Sequence, residues 1–226
     1  MAPKRLFGAA AIMLLLAGCQ ATPAVQMGPD AEVTHDGLHK VDHSRMRLAW
    51  VRPDADLSGY TKLLLTDAGV EYRAVKGGTH TARTNSMRSE FPMSEAARAR
   101  FEELVGEVFE EELGKSQYYT LVDKAGPEVL EVRGALLDVV SNVPPEMMGR
   151  GDYYLSKIGE ATLVLEIRDS ESREIIARAA DRRAVEPTVV VRSNRVTNTS
   201  EVRREVRRWA VLLKDAVDQF HDDLSG

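Results

Sequence analysis

Three times between residues 128 and 186 the chain sets apolar and polar side chains on alternate positions. That two-residue period belongs to an extended strand, not to a helix. In "EVLEVRGALLDVV" (128–140), Leu130, Val132, Gly134, Leu136 and Val140 fall on one face. In "ATLVLEIRD" (161–169), Leu163, Leu165 and Ile167 oppose Thr162, Glu166 and Arg168. "SESR" (170–173) then makes a turn and "EIIARAADRRAVE" (174–186) returns, so the two segments predict a hairpin. "YTKLLLTDAGVEYRAV" (60–75), bounded by Gly59 and by Gly77-Gly78, reads as a further strand, and "YYTLV" (118–122) as a short one. A long polar loop, "KGGTHTARTNSMRSEFP" (76–92), follows the first of these.

Two segments carry the helical period instead. After Ser94, a suitable N-cap, Ala97, Phe101, Leu104, Val105, Val108 and Leu113 recur at spacings of three to five residues, and Gly114 suits the stop. Near the C-terminus, Val202, Val206, Trp209, Leu213, Ala216 or Val217, and Phe220 make one stripe of a long helix. The arginines of "VVVRSNRVTNTSEVRREVRR" have Glu201 and Glu205 among them at pairing distance, so that side reads as a solvated charged face. The order strand, helix, consecutive strands, helix predicts an α+β fold: a mixed, mostly antiparallel sheet packed with two amphipathic helices.

The first twenty residues, "MAPKRLFGAAAIMLLLAGCQ", concern address more than fold. Lys4 and Arg5 precede an apolar run from Leu6 to Leu16, too short for the roughly 20 residues a membrane span needs and fitting a secretory signal peptide. Leu16-Ala17-Gly18-Cys19 resembles the lipobox of bacterial lipoproteins, which implies a signal peptide over residues 1–18 and a lipidated Cys19 at the mature N-terminus. Stable anchoring takes two acyl chains or more, which that resemblance supplies. Gln20, in place of an aspartate, implies outer-membrane sorting by the rule of enteric-type bacteria. Residues 19–36 are polar and without a period and are expected to form a flexible tether, leaving 37–226 as a single periplasmic domain.

Cleavage before Cys19 would remove two of the 30 basic residues and none of the 35 acidic ones, moving the formal charge from −5 to −7. An acidic balance speaks against nucleic acid as a partner, since that surface needs clustered positive charge. Cys19 is the only cysteine, so no disulfide supports the fold and stability rests on an ordinary core.

Candidate chemistry is sparse. "DADLSG" (54–59) echoes the start of a calcium loop, but the closing acid would fall at Leu65, so a turn is expected. His35, His39 and His43 lie four apart, a weak candidate metal set weakened further by Gly37. "SNVPPEMMGRGDYYLSKIGE" (141–160) interrupts the strands for about twenty residues, a length that often signals function. Met147, Met148, Tyr153 and Tyr154 in it can form an adaptable contact surface or fold back as a lid on the core. No H-E-x-x-H, G-x-S-x-G, P-loop or dinucleotide motif occurs, and no catalytic residue or cofactor is assigned.

"DGLHKVDHSRMRLAWVRPDADLSGYTKLLL", "EELGKSQYYTLVD", "LEVRGALLDVVSNVPPE" and "GEATLVLEIRDSESREIIARAADRRA" together resemble an uncharacterised domain-of-unknown-function family of Gram-negative lipoproteins over roughly residues 37–222. The order of elements is more distantly similar to the lipoprotein of the curli-secretion channel and to the N-terminal domain of the Tol translocation protein, a likeness of fold type alone. The resemblance implies an envelope interaction or assembly role without catalysis. Its partners would be the membrane, through the lipid, and other envelope proteins or further copies of the chain. A small-ligand receptor or hydrolase with a pocket under the 141–160 loop is the competing expectation.

Overall fold

A computed structural model describes residues 22–75, 90–144 and 154–225. In chain order the elements are β1 (Ala24–Val25), β2 (His39–Asp42), β3 (Leu48–Val51), β4 (Lys62–Tyr72), α1 (Glu95–Leu113), β5 (Thr120–Val122), β6 (Val129–Ser141), β7 (Tyr154–Leu155), β8 (Gly159–Asp169), β9 (Ile175–Val185), β10 (Val191–Arg192) and α2 (Arg195–Ser225). Eight strands form one sheet in the order β1-β2-β3-β9-β8-β6-β4-β5, and β10 pairs with β7 in a separate ribbon. β4 is parallel to both β5 and β6, and every other pair is antiparallel. The chain is thus α+β with a mixed, mostly antiparallel sheet and two helices among the described residues.

The β8–β9 hairpin lies at the middle of the sheet, with Leu165 opposite Ala179 and Leu163 opposite Asp181. The turn at Ser170–Glu174 marks the lower end of the molecule, and Gly159 and Val185 mark the upper end. Leu63, Leu130, Val132, Leu136, Leu163, Leu165 and Ile167 point to one face, where they pack with Trp209, Leu213 and Val217 of α2. On α2 it is Val217 that is buried, while Ala216 is exposed. Burial of this kind contributes about 25 cal/mol per Å² of apolar surface and supplies most of the driving force. Leu104 and Val108 of α1 meet Val206 and Ala210 of α2 in a second cluster that joins the helices.

α1 begins where the sequence places it. The Ser94 hydroxyl accepts from the Ala97 N–H at 3.3 Å, and the Gly114 N–H donates to the Glu110 carbonyl at 2.9 Å. Both helices run from the upper end towards the lower.

Two expectations change. Strict alternation places Val140 on the core face of β6, yet Val139 occupies it. Asp138 adopts φ +55°, and the register with β8 slips between Leu137 and Val140. A bulge inserts one residue and reverses the parity of the strand beyond it. The second change concerns the tether. Within residues 22–36, β1 pairs with β2, the Gln26 N–H donates to Lys40 O at 2.8 Å, and the Gln26 amide reaches Asp42 at 2.8 Å. The segment is an added sheet edge. Strand pairing uses backbone groups, so it proceeds without the side-chain period by which a strand is read.

Candidate functional site

The helix-free face of the sheet is lined by charge, and the register explains how. Positions 131, 166, 168 and 178 point away from the helices and stand side by side across β6, β8 and β9. Glu131 accepts from Arg168 at 2.8 Å, from Thr66 at 2.9 Å and from Arg173. Arg178 bridges Glu166 at 3.2 Å and Asp36 at 2.9 Å. Nearer the upper end, Arg73 holds Asp138 at 2.7 Å and Glu90 at 2.6 Å, Arg182 holds Glu160 at 2.6 Å, and Lys157 holds Glu160 at 2.7 Å. The Arg168 guanidinium, opposed by burial, keeps the Glu131 carboxyl down at about 2. The Thr34 hydroxyl first, with Arg178 beyond it, keeps Asp36 at about 2. Carboxylates held in this way stay ionised and hold strands together; they are poor proton donors at neutral pH.

A third charged group lies under α2. Asp181 is buried on the core side, where it accepts from the Trp209 indole N–H at 2.9 Å, the Arg183 Nε at 2.6 Å and the Arg47 N–H at 3.2 Å. Arg183 continues to Glu205 at 3.2 Å. On α2, Arg203 pairs with Glu107 at 2.7 Å and Arg207 with the buried Glu112 at 2.8 Å, both on α1. Of the arginines expected to form a solvated face, Arg204 and Arg208 pair with Glu201 and Glu205 on their own helix as the spacing suggests, while Arg203 and Arg207 join α2 to α1.

The upper end differs in kind. The β7–β10 ribbon prolongs the β8–β9 hairpin beyond Gly159 and Val185, with Leu155 opposite Val191 and Tyr154 opposite Arg192. Tyr154, Val189, Val190 and Val196 are each at least 61% exposed. Apolar side chains gathered on a projection are a contact signal in a way that scattered ones are not. Beside them an open groove of about 550 Å³ is lined by Tyr72, Arg73, Phe91, Arg98, Val139 and Ser141, among others. Arg98 lies over the Tyr72 ring at 4.4 Å, and the Tyr72 hydroxyl donates to Glu102 at 2.8 Å. Burial first, and then that bond, push the Tyr72 phenol up.

Of the residues singled out from sequence, Tyr154 is on the ribbon, while Cys19, Met147, Met148 and Tyr153 lie outside the described residues. His35, His39 and His43 do not converge. His35 is exposed in a turn, His39 on β2 contacts the Gln26 carbonyl at 2.7 Å through Nδ1, and His43 sits past the end of β2 at φ +55°. Among the described residues no group of three or more His, Cys, Asp or Glu is placed to hold a metal ion. In "DADLSG", Asp56 accepts from the Ser58 N–H at 2.9 Å, a turn that feeds β4. Sequence reasoning missed Val189, Val190 and Val196. For Val189 and Val190 the signal is the run of valines in "VVVR", which the arginines that follow mask; Val196 stands alone among polar residues and carries none.

A family model for a protein of unknown function, DUF3313, matches residues 32–213. The chain belongs to the DUF3313 family. No match exists among proteins with curated descriptions. Of solved structures, the DUF3313 chain is similar to a Xanthomonas campestris protein of the DUF330 family, at 10% identity and a TM-score of 0.42, covering 80% of this chain and 95% of that one. It is also similar to a Helicobacter pylori homolog of a neuraminyllactose-binding hemagglutinin, at 12% identity and a TM-score of 0.38, covering 76% and 94%. A third is the PelC dodecamer of Paraburkholderia phytofirmans, at 9% identity and a TM-score of 0.33, covering 69% and 87%.

Proposed function

We propose that this DUF3313 protein is an envelope lipoprotein, attached through Cys19 to the periplasmic face of the outer membrane, that acts by contact and not by catalysis. The anchoring half of the reading rests on Leu16-Ala17-Gly18-Cys19 after a short apolar run. The contact half rests on one observation: Tyr154 on the upper ribbon, Val189 and Val190 just before its second strand and Val196 just after it are all exposed. Four such side chains in water are a standing cost that a contact removes. Photo-crosslinking in cells from Tyr154, with a solvent-exposed control at Asp30, tests it. Discrete adducts from position 154 alone are expected; equal, diffuse labelling from both would count against it. Mass spectrometry of the native N-terminus tests the lipid.

The groove favours a second reading, a small-ligand site. Its Arg98 guanidinium, stacked on Tyr72, would suit an anionic or aromatic ligand. A ligand at a hundredfold excess over Kd would stabilise the protein by about 2.7 kcal/mol, so a thermal-shift screen of sugars, nucleotides and lipids distinguishes it.

A further inference from the structure

Strand register fixes which end of the molecule the N-terminal lipid can reach. Leu48 of β3 is opposite Ala180 of β9, Lys40 of β2 is opposite Trp50, and Ala24 of β1 is opposite Asp42. Counted across the sheet, Ala24 stands level with Ala180. β1 is antiparallel to β2, β2 to β3 and β3 to β9, so β1 runs downwards and the chain preceding it points to the upper end. Cys19 is five residues before Ala24. Five residues span at most about 17 Å, so the sulfur reaches roughly the level of Val185 and no farther. The ribbon begins at that level and projects beyond it, displaced sideways by about three strand spacings, roughly 14 Å. A bilayer within the anchor's reach therefore meets either the β1 edge or the ribbon. The edge presents Asp42 at its upper end and, below it, Glu32 and Lys40 beside Met27 and Val33; the ribbon presents Tyr154, with Val189 and Val190 leading into it and Val196 of α2 following. Exposed Met27 and Val33 stand level with Ala177, three residues below Ala24 and farther from the upper end than the ribbon is.

We infer that the upper ribbon is a membrane-contact surface: Tyr154, Val189, Val190 and Val196 rest in the interfacial region of the bilayer that holds the lipid anchor. Tyrosine suits that boundary, its ring among the headgroups and its hydroxyl in water. Arg192 and Arg195 flank the apolar residues and suit the phosphate layer. The inference deepens the proposed function and rests on acylation of Cys19.

The test uses the full-length lipidated protein in vesicles of phosphatidylethanolamine and phosphatidylglycerol. Tyr154→Cys, Val190→Cys and, at the lower end, Val33→Cys each introduce one labelling thiol, because an acylated Cys19 takes no nitroxide. Labels at 154 and 190 should gain oxygen collisions and lose collisions with a water-soluble nickel complex, while the label at 33 stays accessible to nickel. Nickel access at 154 equal to that at 33, in a sample whose mass spectrum shows Cys19 acylated, overturns the inference and leaves anchoring intact. Protection at 154 that persists in detergent micelles and tracks a co-purified protein would assign the surface to a protein partner and overturn it equally. A nitroxide found on Cys19 removes the anchor, and the inference with it.

Discussion

Glu131 shows how one side chain can bind a sheet together. It is 3% exposed, yet it is charged and is gripped by Arg168, Arg173 and Thr66. Its folded-state value, about 2, lies below its ordinary value of 4.5. The unfolded chain therefore binds the proton first, and the stabilisation is fully present above pH 4.5 and lost as pH falls towards 2. The loss reaches about 3 kcal/mol. Denaturant titrations at pH 6 and pH 3 should show it, and a Glu131→Gln variant should be less stable at pH 6 with a smaller fall between the two. Gly159 is constrained differently: a Cβ there would lie 2.4 Å from the Val140 carbonyl oxygen. Backbone has no rotamer by which to escape. Gly159→Ala should cost about 2 kcal/mol or more, read as a lowered Tm, and should loosen the hairpin at the base of the ribbon.

At the scale of elements, periodicity located both helices and the strands of the central hairpin, because each must bury one face, and β4 was legible from an apolar run bounded by glycines. The Ser94 cap was legible for the same local reason, and Ser94→Ala should cost about 1 kcal/mol in thermal unfolding. What periodicity could not show is how α2 is fixed to the sheet. Asp181 sits in a strand whose neighbours alternate as if it were an outward polar residue, yet it is buried and receives the Trp209 indole. Asp181→Ala should destabilise by about 3 kcal/mol, since it leaves the Trp209 N–H and the Arg183 guanidinium without their acceptor. A double-mutant cycle with Trp209→Phe should return a favourable coupling energy; strict additivity would refute the pairing. The bulge at Asp138 escaped for a related reason. It is held by Arg73 and Arg182, which are 65 and 44 residues away along the chain.

For the molecule as a whole, the charged sheet face, the two-helix layer and the apolar upper end divide the surface into regions of different chemistry. If the lipid at Cys19 is the sole attachment, Cys19→Ala should move the protein from the membrane to the soluble fraction without altering its Tm. Replacing Tyr154 and Val190 by aspartate in the lipidated protein should leave it in the membrane fraction and weaken its photo-crosslinks. The two variants separate attachment from orientation.

By itself the sequence determined the fold class, the positions of the long elements and most core residues on them, because each follows from local side-chain chemistry: alternation, helical spacing, a cap. Only the tertiary structure decided which charges meet, that residues 24–25 become a strand, that Val139 in place of Val140 joins the cluster under the helices, and that Tyr154 shares an end with Val189, Val190 and Val196. Those are meetings between distant parts of the chain. They are set by register and backbone pairing, and neither is written in the spacing of side chains.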